Sequence, residues 1–270
     1  MKFVETSSGK IAYRESSGTA QPTFFLIHGN SASGRSYQRI LDSELGQTHR
    51  MVAVDLPGHG DSDKAADPAA TYHMPGYAKV MVEVASALDL TEAIVVGWSL
   101  GGHIALEAVP HLPDAKGFVI FGTPPLAFPP DMESAFLPNP NMNSAFEADL
   151  TDEQMTAFVG EFFNSGATDI PESFMEDVRK TDGQARATMG ASIQPDGYAD
   201  EVEIVQTMSQ PLVIIHGAGE KLVNGDYFTT LDMPSLWQGA VQMIDEAGHA
   251  PHWETPEAFA QILKSFADSL

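Results

Sequence analysis

The segment Ala93–Glu107, Ala-Ile-Val-Val-Gly-Trp-Ser-Leu-Gly-Gly-His-Ile-Ala-Leu-Glu, restricts what this chain can fold into more than any other. Ile94 to Val96 is a short apolar, β-branched run and predicts a buried strand. Gly97-Trp98-Ser99-Leu100-Gly101 follows and fits Gly-x-Ser-x-Gly. His103 to Val109 predicts a helix, with Ile104, Leu106 and Val109 among its apolar positions. A strand that turns into a helix this abruptly pushes the apical serine outward, and the two glycines leave room for crowded backbone. The pentapeptide alone recurs by chance. Its flanking strand and helix make Ser99 a candidate nucleophile.

The same rhythm recurs along the chain. Phe24 to Ile27 runs into His28-Gly29-Asn30-Ser31, and Met51 to Val54 into Asp55-Leu56-Pro57-Gly58-His59-Gly60-Asp61-Ser62. Phe118 to Phe121 ends at Gly122-Thr123-Pro124-Pro125, and Leu212 to Ile215 at His216-Gly217-Ala218-Gly219-Glu220. A last strand, Ala240 to Ile244, precedes Asp245-Glu246-Ala247-Gly248-His249-Ala250-Pro251-His252. Continuous apolar runs alternating with helical patterns predict an α/β domain whose sheet is covered on both faces. Helices are expected over Ser33–Leu45 and Tyr77–Leu88, the latter with an apolar stripe of Tyr77, Val80, Met81, Val84 and Leu88. A short helix is expected around Asp226–Leu231. A closing helix is expected with Thr255 as its cap and Pro256 in its first turn. Phe3–Thr6 and Ile11–Arg14 read as a hairpin around Ser8-Gly9-Lys10.

Between Pro124 and Gln206 the texture changes. Proline-rich turns come first, then helical patterns. Thr151 and Gln154 form a capping box ahead of Met155, Phe158, Val159, Phe162 and Phe163. A second helix is expected near Pro171 and a third over Gly183–Ile193. The expectation is a helical cap, residues 124–206, inserted into a core domain of residues 1–123 and 207–270. Its Phe and Met residues suit an apolar lid over a pocket.

A serine hydroxyl needs a base to take its proton and a carboxylate to orient that base. The order Ser99, Glu220, His249 supplies all three, each just past a predicted strand, at the edge where parallel sheets bind ligands. Asp226, Asp245 and Glu246 are competing acids, Asp226 reading rather as a helix cap. His252 and His103 are competing histidines. The backbone amides of Asn30 and Leu100 are candidate oxyanion donors. Asn30 is also a candidate to hold a substrate amide through its side chain, and Trp98 to wall the acyl pocket. His59 with Asp61, and His249 with His252, lack the third ligand a metal needs. Without cysteine, thiol nucleophiles and disulfides are excluded. No phosphate-binding glycine loop is present, so no cofactor is expected.

Lysine and arginine total 14 against 37 acidic residues, a net charge of −23. That balance speaks against nucleic acid and anionic membranes as partners and favours a small neutral acyl substrate. No stretch approaches the ~18–20 apolar residues of a membrane span, and the first residues lack a signal-peptide run, so a cytoplasmic location is expected.

With these residues assembled, the chain resembles the α/β-hydrolase fold superfamily. The likeness rests on His28-Gly29-Asn30, Asp55 to Gly60, Gly97 to Gly102 and Gly248-His249. More narrowly it resembles the metal-independent N-acyl-homoserine lactone hydrolases. That closer likeness is carried by His28 to Gly34, Gly97 to Ile104, Gly122 to Pro125, Glu220 and Ala247 to Pro251. The resemblance implies a mostly parallel eight-stranded sheet flanked by helices, and a quorum-quenching lactonase that uses Asn30, Trp98, Ser99, Glu220 and His249. A carboxylesterase or C–C bond hydrolase is the alternative on the same triad, and a small-molecule receptor on the same scaffold a further one.

Overall fold

The structure, a computed structural model, describes residues 1–194 and 197–270. Eight strands among these residues form one sheet: β1 (Lys2–Thr6), β2 (Gly9–Glu15), β3 (Ala20–Ile27), β4 (His49–Val54), β5 (Ile94–Trp98), β6 (Gly117–Phe121), β7 (Leu212–Gly217) and β8 (Gln242–Ile244). Their spatial order is β1-β2-β4-β3-β5-β6-β7-β8. β1 and β2 form the expected hairpin and run antiparallel at one edge, while every pairing from β4 to β8 is parallel. The central strands β5 and β6 are buried along their whole length, as uninterrupted apolar sequence requires.

Register places the candidate residues. Ile27 pairs with Gly97, Trp98 with Phe121 and Gly217 with Ile244. The carboxyl ends of β3, β5, β6, β7 and β8 are therefore level. The loops that leave them carry Asn30, Ser99, Gly122, Glu220 and His249 to a single rim.

Helices α1 (Met74–Ala87) and α2 (Leu100–Ala108) cover one face of the sheet, and α7 (Pro256–Ala267) the other. The closing helix departs from expectation at its cap. Thr255 donates its hydroxyl to the Pro251 carbonyl at 3.1 Å and accepts nothing from α7, its backbone at φ −131 and ψ 60 lying off the extended conformation of an N-cap. The helix expected over Ser33–Leu45 is likewise broken into Gly34–Tyr37, Gln38–Leu41 and Glu44–Thr48. The Gly34 amide is held by Asp55, Ser43 caps the last piece, and Gly46 lies so near the Leu41 carbonyl that a Cβ there would stand 2.2 Å from its oxygen. The stretch expected as a helix around Asp226–Leu231 is a 3-10 turn, Gly225–Thr230, capped by Asn224.

Between β6 and β7 the chain forms α3 (Asp152–Gly160), α4 (Glu172–Lys180), α5 (Gly183–Ser192) and α6 (Glu201–Thr207), with no strand of the sheet among the described residues. The capping box of Thr151 and Gln154 is present. Several bonds fasten this insertion to the rim. Asp177 receives the Ser33 hydroxyl and the Arg35 guanidinium, each at 2.7 Å, and the Asp182 amide donates to the Gly58 carbonyl at 2.8 Å.

Candidate active site

The turn after β5 is strained by design of its neighbours. Ser99 sits at φ 53, ψ −121, a region that L-residues avoid and that persists only where the surroundings enforce it. Here the Ser99 amide donates to the Phe121 carbonyl at 2.8 Å, and the Thr123 hydroxyl donates to the Ser99 carbonyl at 2.8 Å. Backbone crowding explains the glycines: a Cβ on Gly101 would stand 2.2 Å from the Ile27 carbonyl oxygen. Gly101→Ala is accordingly expected to cost at least about 3 kcal/mol, since backbone rather than a flexible side chain must yield. A denaturant midpoint unchanged from wild type would contradict this.

Glu220 and His249 come together as expected. The Glu220 Oε2 lies 2.8 Å from Nδ1 of His249, and both side chains are almost wholly buried. The other carboxylate oxygen accepts from the amides of Lys221 and Leu222. Burial by itself raises the Glu220 carboxyl, yet the adjacent imidazole, its hydrogen bond and the Leu222 amide outweigh that and hold it below the ordinary glutamate value. A carboxylate at Nδ1 places the proton there and leaves Nε2 free to act as a base. That Nε2 has no hydrogen-bond partner among the described residues. Asp226, Asp245 and Glu246, the competing acids, are exposed and make no bond to His249.

Gly122 joins the two halves. A Cβ on it would lie 2.6 Å from Cε1 of His249, while its neighbours Phe121 and Thr123 bond the backbone of Ser99. Ser99 and His249 thus share one cavity, although no hydrogen bond yet links them. Such bonds often tighten only once substrate is bound.

The loop carrying His249 is pinned by the end of β5, by the turn that follows it and by the insertion. Trp98 Nε1 donates to the His249 carbonyl at 2.8 Å. Glu254 accepts from the Gly248 amide at 2.6 Å and the Asn164 amide at 2.7 Å, and the Ala250 amide donates to the Phe162 carbonyl. Glu254 and Lys221 carry no local signal in the sequence for their bonds to the insertion, Glu254 at the Asn164 amide and Lys221 at the Phe163 carbonyl.

Asn30 and Leu100 both line the cavity, and neither backbone amide donates to a protein acceptor among the described residues. The Asn30 side chain is already engaged. Its Nδ2 donates to the Ala145 carbonyl at 2.7 Å and its Oδ1 accepts from the Ser31 hydroxyl at 3.1 Å, leaving one N–H for a ligand. Buried Arg186 stands behind it, donating to Ser31 Oγ at 3.4 Å and to the carbonyls of Glu147, Ala148 and Val178.

The cavity is narrow, with a volume of about 80 Å³. Trp98, Phe158, Phe162, Met142 and Ala145 form one wall, and Met74, Leu126, Met189 and Ile193 another. Asn30, Ser99, His103 and His249 supply its polar side chains. No group of three His, Asp or Glu residues among the described residues is arranged to hold a metal ion, and no helix among them is long and apolar enough to cross a membrane.

Histidines near the rim are kept neutral. Burial drives His28 down to about 4 and His59 to about 3, and lowers His252, which is boxed by Tyr37, Trp98, Phe121 and Phe259. The unfolded chain binds these protons near pH 6.5, the folded chain only well below it. Stability is therefore complete above about pH 6.5 and falls as the pH drops through the window toward 4. Between pH 6.5 and 5, where most carboxylates are still ionised, the loss should amount to a few kcal/mol (about 1.4 per pH unit per imidazole). Denaturant titrations at pH 7 and pH 5 measure it; equal midpoints would refute it.

A mostly parallel sheet with a serine on a strained strand-to-helix turn, and a carboxylate–histidine pair on loops of the same rim, is the architecture of a hydrolase. Residues 24–262 match the alpha/beta hydrolase family, and the chain belongs to it. Among solved structures it is similar to the N-acyl homoserine lactonase AidH, in a mutant complexed with N-hexanoyl homoserine lactone. The TM-score is 0.93 and the identity 35%, over 98% of this chain and 96% of that one. It is also 24% identical to the 2-hydroxy-6-oxononadienedioate/2-hydroxy-6-oxononatrienedioate hydrolase of Paraburkholderia phymatum, over 98% of this chain and 94% of the relative. The meta-cleavage product hydrolase of Pseudomonas fluorescens shares the fold, with a TM-score of 0.81 and 18% identity over 100% of this chain and 98% of that one.

Proposed function

We propose that this hydrolase opens the lactone ring of N-acyl-homoserine lactones, with Ser99, His249 and Glu220 as its triad and residues 124–206 as a cap over residues 1–123 and 207–270. The carrying observation is the likeness to AidH at 35% identity across 98% of the chain, insertion included. The C–C bond hydrolases stand further off, at 24% and 18% identity. The apolar lining suits an acyl chain, and a net charge of −23 suits a neutral substrate.

In this reading Ser99 Oγ attacks the lactone carbonyl as Nε2 of His249 takes its proton. The oxyanion is received by the amides of Asn30 and Leu100, the latter at the positive end of α2. The remaining N–H of Asn30 and the Trp98 face position the amide and chain. His249, held by Glu220, then protonates the ring oxygen as it leaves. The freed hydroxyl remains tethered through the acyl group, so water, deprotonated by the same imidazole, must intercept the ester on Ser99 before the ring recloses.

A panel run at equal concentration tests the reading: N-acyl-homoserine lactones by pH-stat, p-nitrophenyl esters, and a dienoic meta-cleavage product. The expected result is kcat/KM for the lactones at least about tenfold above either rival, a difference of about 1.4 kcal/mol in transition-state binding. Faster turnover of the esters would make the protein a carboxylesterase, and faster turnover of the dienoate a C–C bond hydrolase.

A further inference from the structure

We infer that His103, held by Glu201, is a specificity-determining residue that hydrogen-bonds an oxygen substituent on the acyl chain of the substrate. The inference rests on the lactonase reading above and extends it.

Of the four polar side chains on the cavity, three have work in the proposed reaction and His103 does not. It is nevertheless elaborately held. Its Nδ1 lies 2.9 Å from both carboxylate oxygens of Glu201, which is fully buried, and Glu201 Oε2 also accepts from the Leu126 amide at 2.7 Å. The carboxylate fixes the ring orientation and keeps the proton on Nδ1. Nε2 then has no protein partner among the described residues, while the ring lines a cavity whose nearby walls are Met74, Leu126, Met189 and Ile193. A polar atom facing an apolar chain there goes unsatisfied, and a ligand oxygen that bonds it removes that penalty.

The spacing selects the position of that oxygen. His103 follows Ser99 by four residues on α2, which is about 6 Å along the axis, and helical side chains lean back toward the N-terminus. From an attacked lactone carbonyl, through a trans amide, the third carbon of the acyl chain is also about 6 Å away. A hydroxyl on that carbon comes within reach of the imidazole and can donate to Nε2, whereas a keto oxygen, itself an acceptor, and an unsubstituted chain offer it nothing.

A purely structural tie is the competing account, since Glu201 also joins the strands of chain that enter and leave the insertion, its amide donating to the Leu126 carbonyl at 2.9 Å. The ratio of two substrates separates them, because a general loss of packing lowers both. We would measure kcat/KM for N-hexanoyl, N-(3-hydroxyhexanoyl) and N-(3-oxohexanoyl) homoserine lactone with wild type, His103→Phe and His103→Gln. Expected is a wild-type preference of at least about tenfold for the 3-hydroxy chain over the unsubstituted one. His103→Phe should collapse that ratio to about one, and His103→Gln, whose amide retains a polar group near Nε2, should keep part of it. The keto chain should behave like the unsubstituted one, and a preference for it over the hydroxy chain would overturn the assignment of Nε2 as acceptor. A wild-type ratio near one overturns the inference without any variant, and so does a ratio that survives His103→Phe. Wild type that opens none of the three lactones overturns the lactonase reading and this inference with it; lactone opening without discrimination overturns this inference alone.

Discussion

Ser99→Ala should lower turnover by about 10⁴-fold or more while leaving the protein folded. In the proposed mechanism no covalent intermediate then forms, and what remains comes from the oxyanion donors and substrate binding alone. Stability should barely move, because the strain at position 99 is in the backbone. Alanine at φ 53 is as uncomfortable there as serine, and the bonds from the Ser99 amide to Phe121 and from Thr123 to the Ser99 carbonyl use only main-chain atoms of residue 99. Ser99→Gly should stabilise the fold by about 1 kcal/mol, since glycine adopts that conformation freely. Paired measurements of turnover and thermal midpoint check both halves. An alanine variant retaining more than about a tenth of wild-type kcat would show that the chemistry runs elsewhere.

Glu220→Gln is the second large effect, and its sign follows from donor and acceptor counting. One oxygen of Glu220 accepts from the amides of Lys221 and Leu222, so a glutamine keeps its carbonyl oxygen there. The amide nitrogen must then face Nδ1 of His249, where Oε2 now lies at 2.8 Å. A donor facing a donor is repelled, so the imidazole adopts the tautomer protonated on Nε2. The lone pair meant for the Ser99 proton is gone. We expect kcat to fall by about 10³–10⁴-fold with KM changed much less, since nothing that contacts the acyl chain has moved. A fall in KM affinity with kcat preserved would assign Glu220 to substrate binding instead.

Much of the site was legible before any coordinates, for reasons that can be named. The turn at Ser99 is written in five consecutive residues because its geometry is set by backbone crowding among immediate neighbours. The buried strands were legible because a sheet covered on both faces leaves no polar alternation to disguise them. The short helices depart from expectation where local caps and backbone angles intervene. Ser43 caps a new piece, Glu44–Thr48, inside the span expected as one helix over Ser33–Leu45. Thr255, at φ −131 and ψ 60, lies off the extended conformation of an N-cap, and its side chain accepts nothing from α7.

The sequence by itself determined the α/β architecture and the serine on its strand-to-helix turn, because each is encoded within a single strand and the loop that leaves it. Only the tertiary structure decided which acid meets His249, since Glu220, Asp226, Asp245 and Glu246 differ in where β7 and β8 deliver them and not in chemistry. It also decided that half of the Asn30 amide is spent on Ala145, and that His103 finds Glu201 across 98 residues. Hydrogen bonds between elements depend on strand register and on how the insertion folds back, and neither is written in the local pattern of apolar and polar residues.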